Sequence, residues 1–534
     1  MKKLLLSIIV VVLSSWALIA QDDKGHLSAG FETNTTYYLD DKGTGAIAPE
    51  GKFGSNNYLK LDYTKGGFSV GGQLEAYLPP ILGYYGLYGG TKQGDMFYRF
   101  DIYASFVRKG WDIRVGSLYE QFGSGILFRT YEDRALGINN ALQGVKVGYT
   151  FGDFLTIYGI YGRIRDVKSY SNAMASGADL NFSISRLAKM DDFDLSIGAS
   201  VLDKYETYGE FSDVDQNPHT LGYSARLNMG YKGFQLSGEY VSRKADPAFY
   251  NHLDTTGTQS IQVDFGYSGN GFGGLVTFRK LQNPFFLGLR NQSEDNWSYT
   301  YINYVPALTQ QHTYSLASMN PYTPQADELG GQVDLFYNFK KNTVLGGKKG
   351  MKIHGNFSTY YGGIYDMNLG VYGDSELLFR DLTVDVERWF GKDVKMILYY
   401  TWQTYNSATV AKATDDCRLW NSHTVIADVT YKINRKNSLR LELQHLYTKE
   451  DHKNWAAALL EYNLAPRWSI SVQDMWNYGD TKKHYVNGSV SYSYNKVRAA
   501  LNMGRFKEGY LCSGGVCRQT PAYTGFNLSL VIML

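Results

Sequence analysis

The densest set of chemistry-bearing side chains lies in residues 118–141, which read LYEQFGSGILFRTYEDRALGINNA. Arg129 and Arg134 each offer a planar fork of N–H donors suited to a carboxylate or phosphate. Around them, Tyr131, Glu132, Asp133, Asn139 and Asn140 add an aromatic face, two carboxylates and two amides, groups that meet sugar rings and hydroxyls. Gly123, Gly125 and Gly137 permit sharp backbone reversals. Folded into a channel, this segment would constrict it and contact polar or anionic solutes, saccharides among them. Left in solvent, its Arg and acidic side chains would pair with one another and contribute little.

Other reactive residues are sparse. Cys512 and Cys517 are separated by Ser-Gly-Gly-Val, and in an oxidising compartment they are expected to form a small disulfide ring. Two thiols without a nearby His do not complete a metal shell. Cys417 is left odd, either a free thiol or an intermolecular bridge. The nine His are scattered. No HExxH pair or Gly-x-Ser-x-Gly elbow is present, so neither an enzyme nor a metal or cofactor site is expected. His423 and His445 continue apolar strand faces and read as interfacial side chains. Residues 283–326 form the longest connection, rich in aromatics such as Phe285, Trp297, Tyr301 and Tyr314. A connection of that length is usually functional or self-packed, and it reads as a second plug or a docking surface.

The elements that position these loops are strands. Tyr98, Phe100, Ile102, Ala104 and Phe106 alternate with Arg99, Asp101, Tyr103 and Ser105; Leu439, Leu441 and Leu443 alternate with Arg440, Glu442 and Gln444. Phe526, Leu528, Leu530 and Ile532 do the same against Asn527 and Ser529. Period-two alternation puts one set on each face of a sheet. Repeated this often, it predicts lipid on one side and a polar lumen on the other. Strands cross a bilayer only as closed barrels, because every backbone polar group must find a partner without water. Short turns such as Lys109-Gly110, Lys232-Gly233 and Asn495-Lys496 interleave with long connections near 39–55, 79–94, 118–140 and 283–326. The fold class expected is therefore a single all-β antiparallel transmembrane barrel over residues 21–534, with about 24 strands, within about 20 to 26. Short periplasmic turns, long outer loops and both termini in the periplasm complete that expectation. A lumen of that width needs a plug, and strand alternation begins too early for a plug domain, so loops or a partner must fill it.

Composition agrees with this reading. The chain has 57 Gly, 45 Tyr, 9 Trp and 11 Pro, as aromatic girdles at two interfaces require. Its mean hydropathy of −0.32 is no objection, because only alternate residues meet lipid. Residues 1–20 have the charged, apolar and cleavage regions of a signal peptide. Removing Lys2 and Lys3 leaves 51 basic and 51 acidic side chains, a balance that does not suggest nucleic acid. The expected location is the outer membrane. The expected partners are membrane lipid and lipopolysaccharide, the barrel-assembly machinery during biogenesis, and, in an alternative reading, an envelope protein complex in which the barrel is a non-transporting subunit.

Two resemblances follow from these residues. Through Phe128-Arg129-Thr130-Tyr131-Glu132-Asp133-Arg134, Asn139-Asn140-Ala141-Leu142 and Gly514-Gly515-Val516-Cys517-Arg518, the chain resembles an uncharacterised outer-membrane barrel family of the Bacteroidota type, which implies location without activity. The glycine-bearing loop followed by Asn and Gly144-Val145-Lys146 resembles, over about thirty residues, the alginate-export porins, which implies basic residues guiding an anionic polymer. Gln143 and Lys146 depart from that family's Asp-Gly-Val-Arg.

Overall fold

Alternating side chains give strands of 8 to 20 residues, long enough to cross a bilayer when tilted. The computed structural model describes residues 25–84, 95–166, 169–207, 217–246, 257–290, 301–366, 371–407, 419–513 and 516–534. The expected signal peptide and Cys417 lie outside the described residues.

One antiparallel sheet of 24 strands runs around the molecule, each strand pairing with its neighbours in sequence. His26–Leu39 pairs with Phe53–Lys65 on one side and with Tyr523–Met533 on the other, Thr33 facing Leu530. That last pairing closes the barrel, so that among the described residues the 24-stranded wall has no open edge. The strand number agrees with the reading of the sequence, and boundaries shift by a few residues: the second strand, which alternation alone marks from Tyr58 to Tyr63, spans Phe53–Lys65.

The two faces separate as the alternation requires. On Phe97–Arg108, Tyr98, Phe100 and Ile102 are 79, 64 and 58% exposed, whereas Arg99 is 6% exposed. On the closing strand, Phe526 and Leu528 are exposed, while Asn527 turns inward to donate to Asn34 and Thr36. Aromatic residues gather toward both ends of the outer face. His219–Tyr231 shows the sequence along one strand, with Tyr223, Leu227 and Tyr231 all exposed, so that aromatic rings flank an aliphatic middle. His423 and His445 sit in the belt at the loop end. His423 meets the Tyr400 hydroxyl at 2.9 Å and stacks near Trp402; His445 meets the Tyr478 hydroxyl at 2.6 Å.

Among the described residues the two-residue turns lie at one end of the barrel. Lys109-Gly110, Lys232-Gly233 and Asn270-Gly271 have positive φ at both residues, the geometry that matches the twist of a two-residue hairpin. The one helix among the described residues, Ile184–Ala188, also lies here. The Ser183 hydroxyl accepts the Arg186 N–H at 3.3 Å, and Lys189 ends the helix in the left-handed region. At the opposite end stand the long loops, and it is there, inside the barrel, that most buried apolar side chains collect.

Candidate functional site

Residues 118–141 fold into the barrel. Phe122, Ile126, Leu127 and Phe128 are nearly fully buried against inward-facing Ile160, Leu202, Val241 and Leu281 of the wall, together with Phe286, Ile302 and Val305 of the long loop. Three consecutive apolar residues, Ile126 to Phe128, together with Phe122 would be unfavourable in water, and the inner wall supplies matching apolar side chains near the loop end of successive strands. Two short pairings, Gln121–Phe122 with Phe128–Arg129 and Glu132–Asp133 with Ile138–Asn139, stiffen the segment.

Each residue singled out in the sequence has a definite partner or place. Arg129 donates to the Tyr304 carbonyl at 3.0 Å, its guanidinium 4.3 Å above the Tyr131 ring. Tyr131 packs edge-on against Tyr304 at 5.6 Å, and its buried hydroxyl has no hydrogen-bond partner among the described residues. Arg134 reaches the wall, 2.7 Å from Glu32, 3.1 Å from Glu132 and 3.0 Å from the Gln73 side-chain oxygen. Burial opposes its charge, yet Glu132 and Glu32 outweigh that and raise its pKa. Glu132 also accepts from Gln73 at 2.6 Å. Asp133 accepts the Leu136 N–H at 3.0 Å. Asn139 donates to Glu75 at 3.1 Å. Asn140, 1% exposed, accepts the Tyr131 N–H and donates to the Arg129 and Tyr301 carbonyls, all within 2.8 Å. The loop thus touches wall strands from His26–Leu39 to Phe234–Arg243, where Glu239 accepts the Ser124 N–H at 2.7 Å.

Residues 283–290 and 301–326 enter the rest of the lumen. Arg290, 1% exposed, binds Asp246 at 2.7 Å, and Asp246 is also 2.6 Å from Lys204. Arg279 and Glu328, whose side chains are wholly buried, pair at 2.7 Å; Arg279 also donates to the Pro306 carbonyl and Tyr322 donates to Glu328, both at 2.6 Å. Farther on, His312 contacts Asp381 at 2.8 Å and the Tyr399 hydroxyl. Gln444 accepts the Leu316 N–H at 2.9 Å. Cys512 and Cys517 are bonded within the hairpin formed by Gly509–Ser513 and Val516–Thr520. This hairpin touches both loops: Gln311 donates to the Cys512 carbonyl, and Arg518 donates to the Ala135 carbonyl at 3.3 Å.

Reading the sequence located the loops but missed the wall residues that hold them: Glu32, Glu75, Glu239, Arg279 and Glu328. A signal was present. Charged residues at inward positions, near the loop end of successive strands, have little reason to be there unless something inside meets them. Among the described residues no group of three or more His, Cys, Asp or Glu is placed to hold a metal ion.

An aromatic-belted barrel with a polar, loop-crossed interior defines a transmembrane barrel as its class. The chain belongs to a family of unknown function (DUF6029), whose model matches residues 1–534. That match supports neither a Bacteroidota origin nor a likeness to alginate export. No curated protein matches the sequence. Among solved structures, the chain is similar to the translocation pore of the P pilus usher PapC, with 11% identity and TM-score 0.44 over 95% of this chain and 99% of that one. It is similar also to OccAB3 of Acinetobacter baumannii, with 10% identity and TM-score 0.37 over 96% and 98%, and to the siderophore receptor PirA of Pseudomonas aeruginosa, with 8% identity and TM-score 0.44 over 97% and 81%. Likeness this distant says nothing about solute or partner.

Proposed function

We propose that this protein is an outer-membrane channel for polar solutes whose constriction is built from its own loops, with both termini in the periplasm. The observation that carries the reading is the inward fold of residues 118–141, fixed to the wall by Arg134, Asn139 and the Ser124 N–H. A solute pathway needs polar groups along the inner wall beside such a loop, and Asp179, Arg226, Asn228, Gln262 and Asp264 line a cavity there. In this reading Arg129, Tyr131, Glu132, Asp133, Arg134, Asn139 and Asn140 shape the narrow zone. Arg134 already meets two carboxylates and Arg129 is spent on a carbonyl and a ring. This supports polar solutes in general over anionic ones.

Conductance of the purified, folded chain in a planar bilayer tests the proposal. Steady ion-permeable openings are expected. Silent membranes, together with a stoichiometric partner recovered from native membranes, would instead favour the envelope-subunit reading. Arg129→Ala combined with Arg134→Ala should change the reversal potential in a salt gradient; an unchanged value removes these two residues from the filter.

A further inference from the structure

Beside the tip of the 118–141 loop, on the wall side, lies a polar cavity of about 360 Å³, within the size range of small-molecule sites. Inward positions on several neighbouring wall strands converge here, bringing Asp179, Arg226, Glu239 and Asp264 to its lining, with Gly123 and Ser124 of the loop as its roof. The charges do not cancel. Arg226 lies 2.6 Å from Asp179 and is neutralised by it. Glu239 and Asp264 have no cationic partner among the described residues. Asp264 is held by hydroxyl and amide donors, Thr277 at 2.6 Å and Gln262 at 3.0 Å, which orient a carboxylate without removing its charge.

A second observation is independent of this acidity. Glu239 is 7% exposed, and of its two oxygens only Oε2 is engaged, by the Ser124 N–H; Oε1 has no hydrogen-bond partner among the described residues. The Ser124 hydroxyl, also buried, has none either. A carboxylate oxygen and a hydroxyl left unsatisfied together carry a desolvation cost that a donor-bearing ligand removes. Gly123 makes the arrangement possible. It has φ +52°, and a Cβ there would come within 2.3 Å of Glu239 Oε1, so any side chain would collide with that carboxylate and push the loop away from it.

We infer that this cavity is a lumenal binding station for a small polyhydroxylated solute carrying an ammonium group, the cation meeting Glu239 and Asp264 and the hydroxyls meeting Ser124 and the surrounding amides. The station refines the channel reading by naming the solute class its pathway favours. Its test is equilibrium binding, which does not depend on conduction. The full-length chain in detergent micelles is titrated with three sugars of one size, glucosamine at a pH where its amine is charged, glucose, and glucuronate. Glucosamine should bind about tenfold more tightly than glucose, glucuronate more weakly than either, and the preference should shrink with added salt. Glu239→Gln with Asp264→Asn should bring glucosamine down to the level of glucose; Asp264→Asn alone, which leaves the loop contact of Glu239 intact, should take away part of the preference. Glucose binding as tightly as glucosamine, or glucuronate binding best, would overturn the assignment, and either comparison needs only the unaltered protein. Silent bilayers with the glucosamine preference intact would remove the channel and leave the station. Steady openings without the preference would do the reverse.

Discussion

On Phe272–Gln282, Phe272, Val276 and Phe278 look outward and are exposed, while Thr277, Arg279 and Leu281 look inward and are buried, Arg279 completely. In a water-soluble protein the charged residue would be the accessible one. Here its burial follows from the loops that fill the lumen, and the exposure of the apolar residues follows from a medium as apolar as they are. The outer face therefore depends on solvent and the inner face on specific partners, so substitutions on the two faces should fail in different ways.

The largest effect is expected inside. Arg279→Ala leaves the wholly buried Glu328 without its counter-charge and the Pro306 carbonyl without its donor, at a cost of about 3 to 5 kcal/mol. Thermal unfolding should shift accordingly, and bilayer recordings should turn noisy as residues 306–326 come loose. A normal melting curve would mean that the loop is held elsewhere.

Next comes the outer face. Leu530→Arg places a charge against lipid at a cost of about 2 to 4 kcal/mol, whereas Ser529→Arg, on the inward side, should cost far less. Heat-modifiable gel mobility and surface protease resistance separate the two. Equal behaviour, or greater damage from Ser529→Arg, would reverse the assignment of faces.

Asn140→Ala is smaller again. It strips partners from the Tyr131 N–H and from two carbonyls, about 1 to 3 kcal/mol of local stability. Hydrogen exchange should rise in residues 128–141 while the wall strands stay protected. Exchange rising everywhere would show that the loop supports the barrel and not only itself.

The smallest effect concerns Asp41, beside the barrel seam, which accepts from Arg505 at 2.6 Å and Thr524 at 2.9 Å. Burial raises its pKa, but Arg505, Thr524 and the Gly43 N–H prevail and lower it to about 2. Because the folded value lies below the unfolded one, its contribution is complete above the ordinary value of 3.8 and is lost as pH falls toward 2. The melting temperature of Asp41→Asn should lie slightly below that of the unaltered chain at neutral pH and converge with it in strong acid. A gap that widens on acidification would contradict the sign.

What could be read in advance divides along the same two faces. Lipid imposes a repetitive demand, so Tyr98, Phe100 and Ile102 reveal their face by alternation alone, and strand number and turn positions follow. The inner face answers to contacts distant in sequence: nothing local in Glu239 announces Ser124, and nothing in Glu328 announces Arg279. Residues 118–141 stood out because many polar types are concentrated there. Their roles could not be read there: Arg134 and Asn139 meet the wall at Glu32 and Glu75, and Asn140 and Arg129 meet the carbonyls of Tyr301 and Tyr304 in the other loop, far along the chain.

The pairing of Thr33 with Leu530 also sets an order of events. Every other junction in the wall joins neighbours in sequence, so hairpins can zip progressively, but this junction cannot form until nearly five hundred residues have been laid down. Until then the first strand presents a bare edge in a medium with no water to satisfy it. Closing the ring therefore carries a loop-closure cost that the hairpins do not, and that cost falls the more closely the curvature of the sheet has already brought its two ends together.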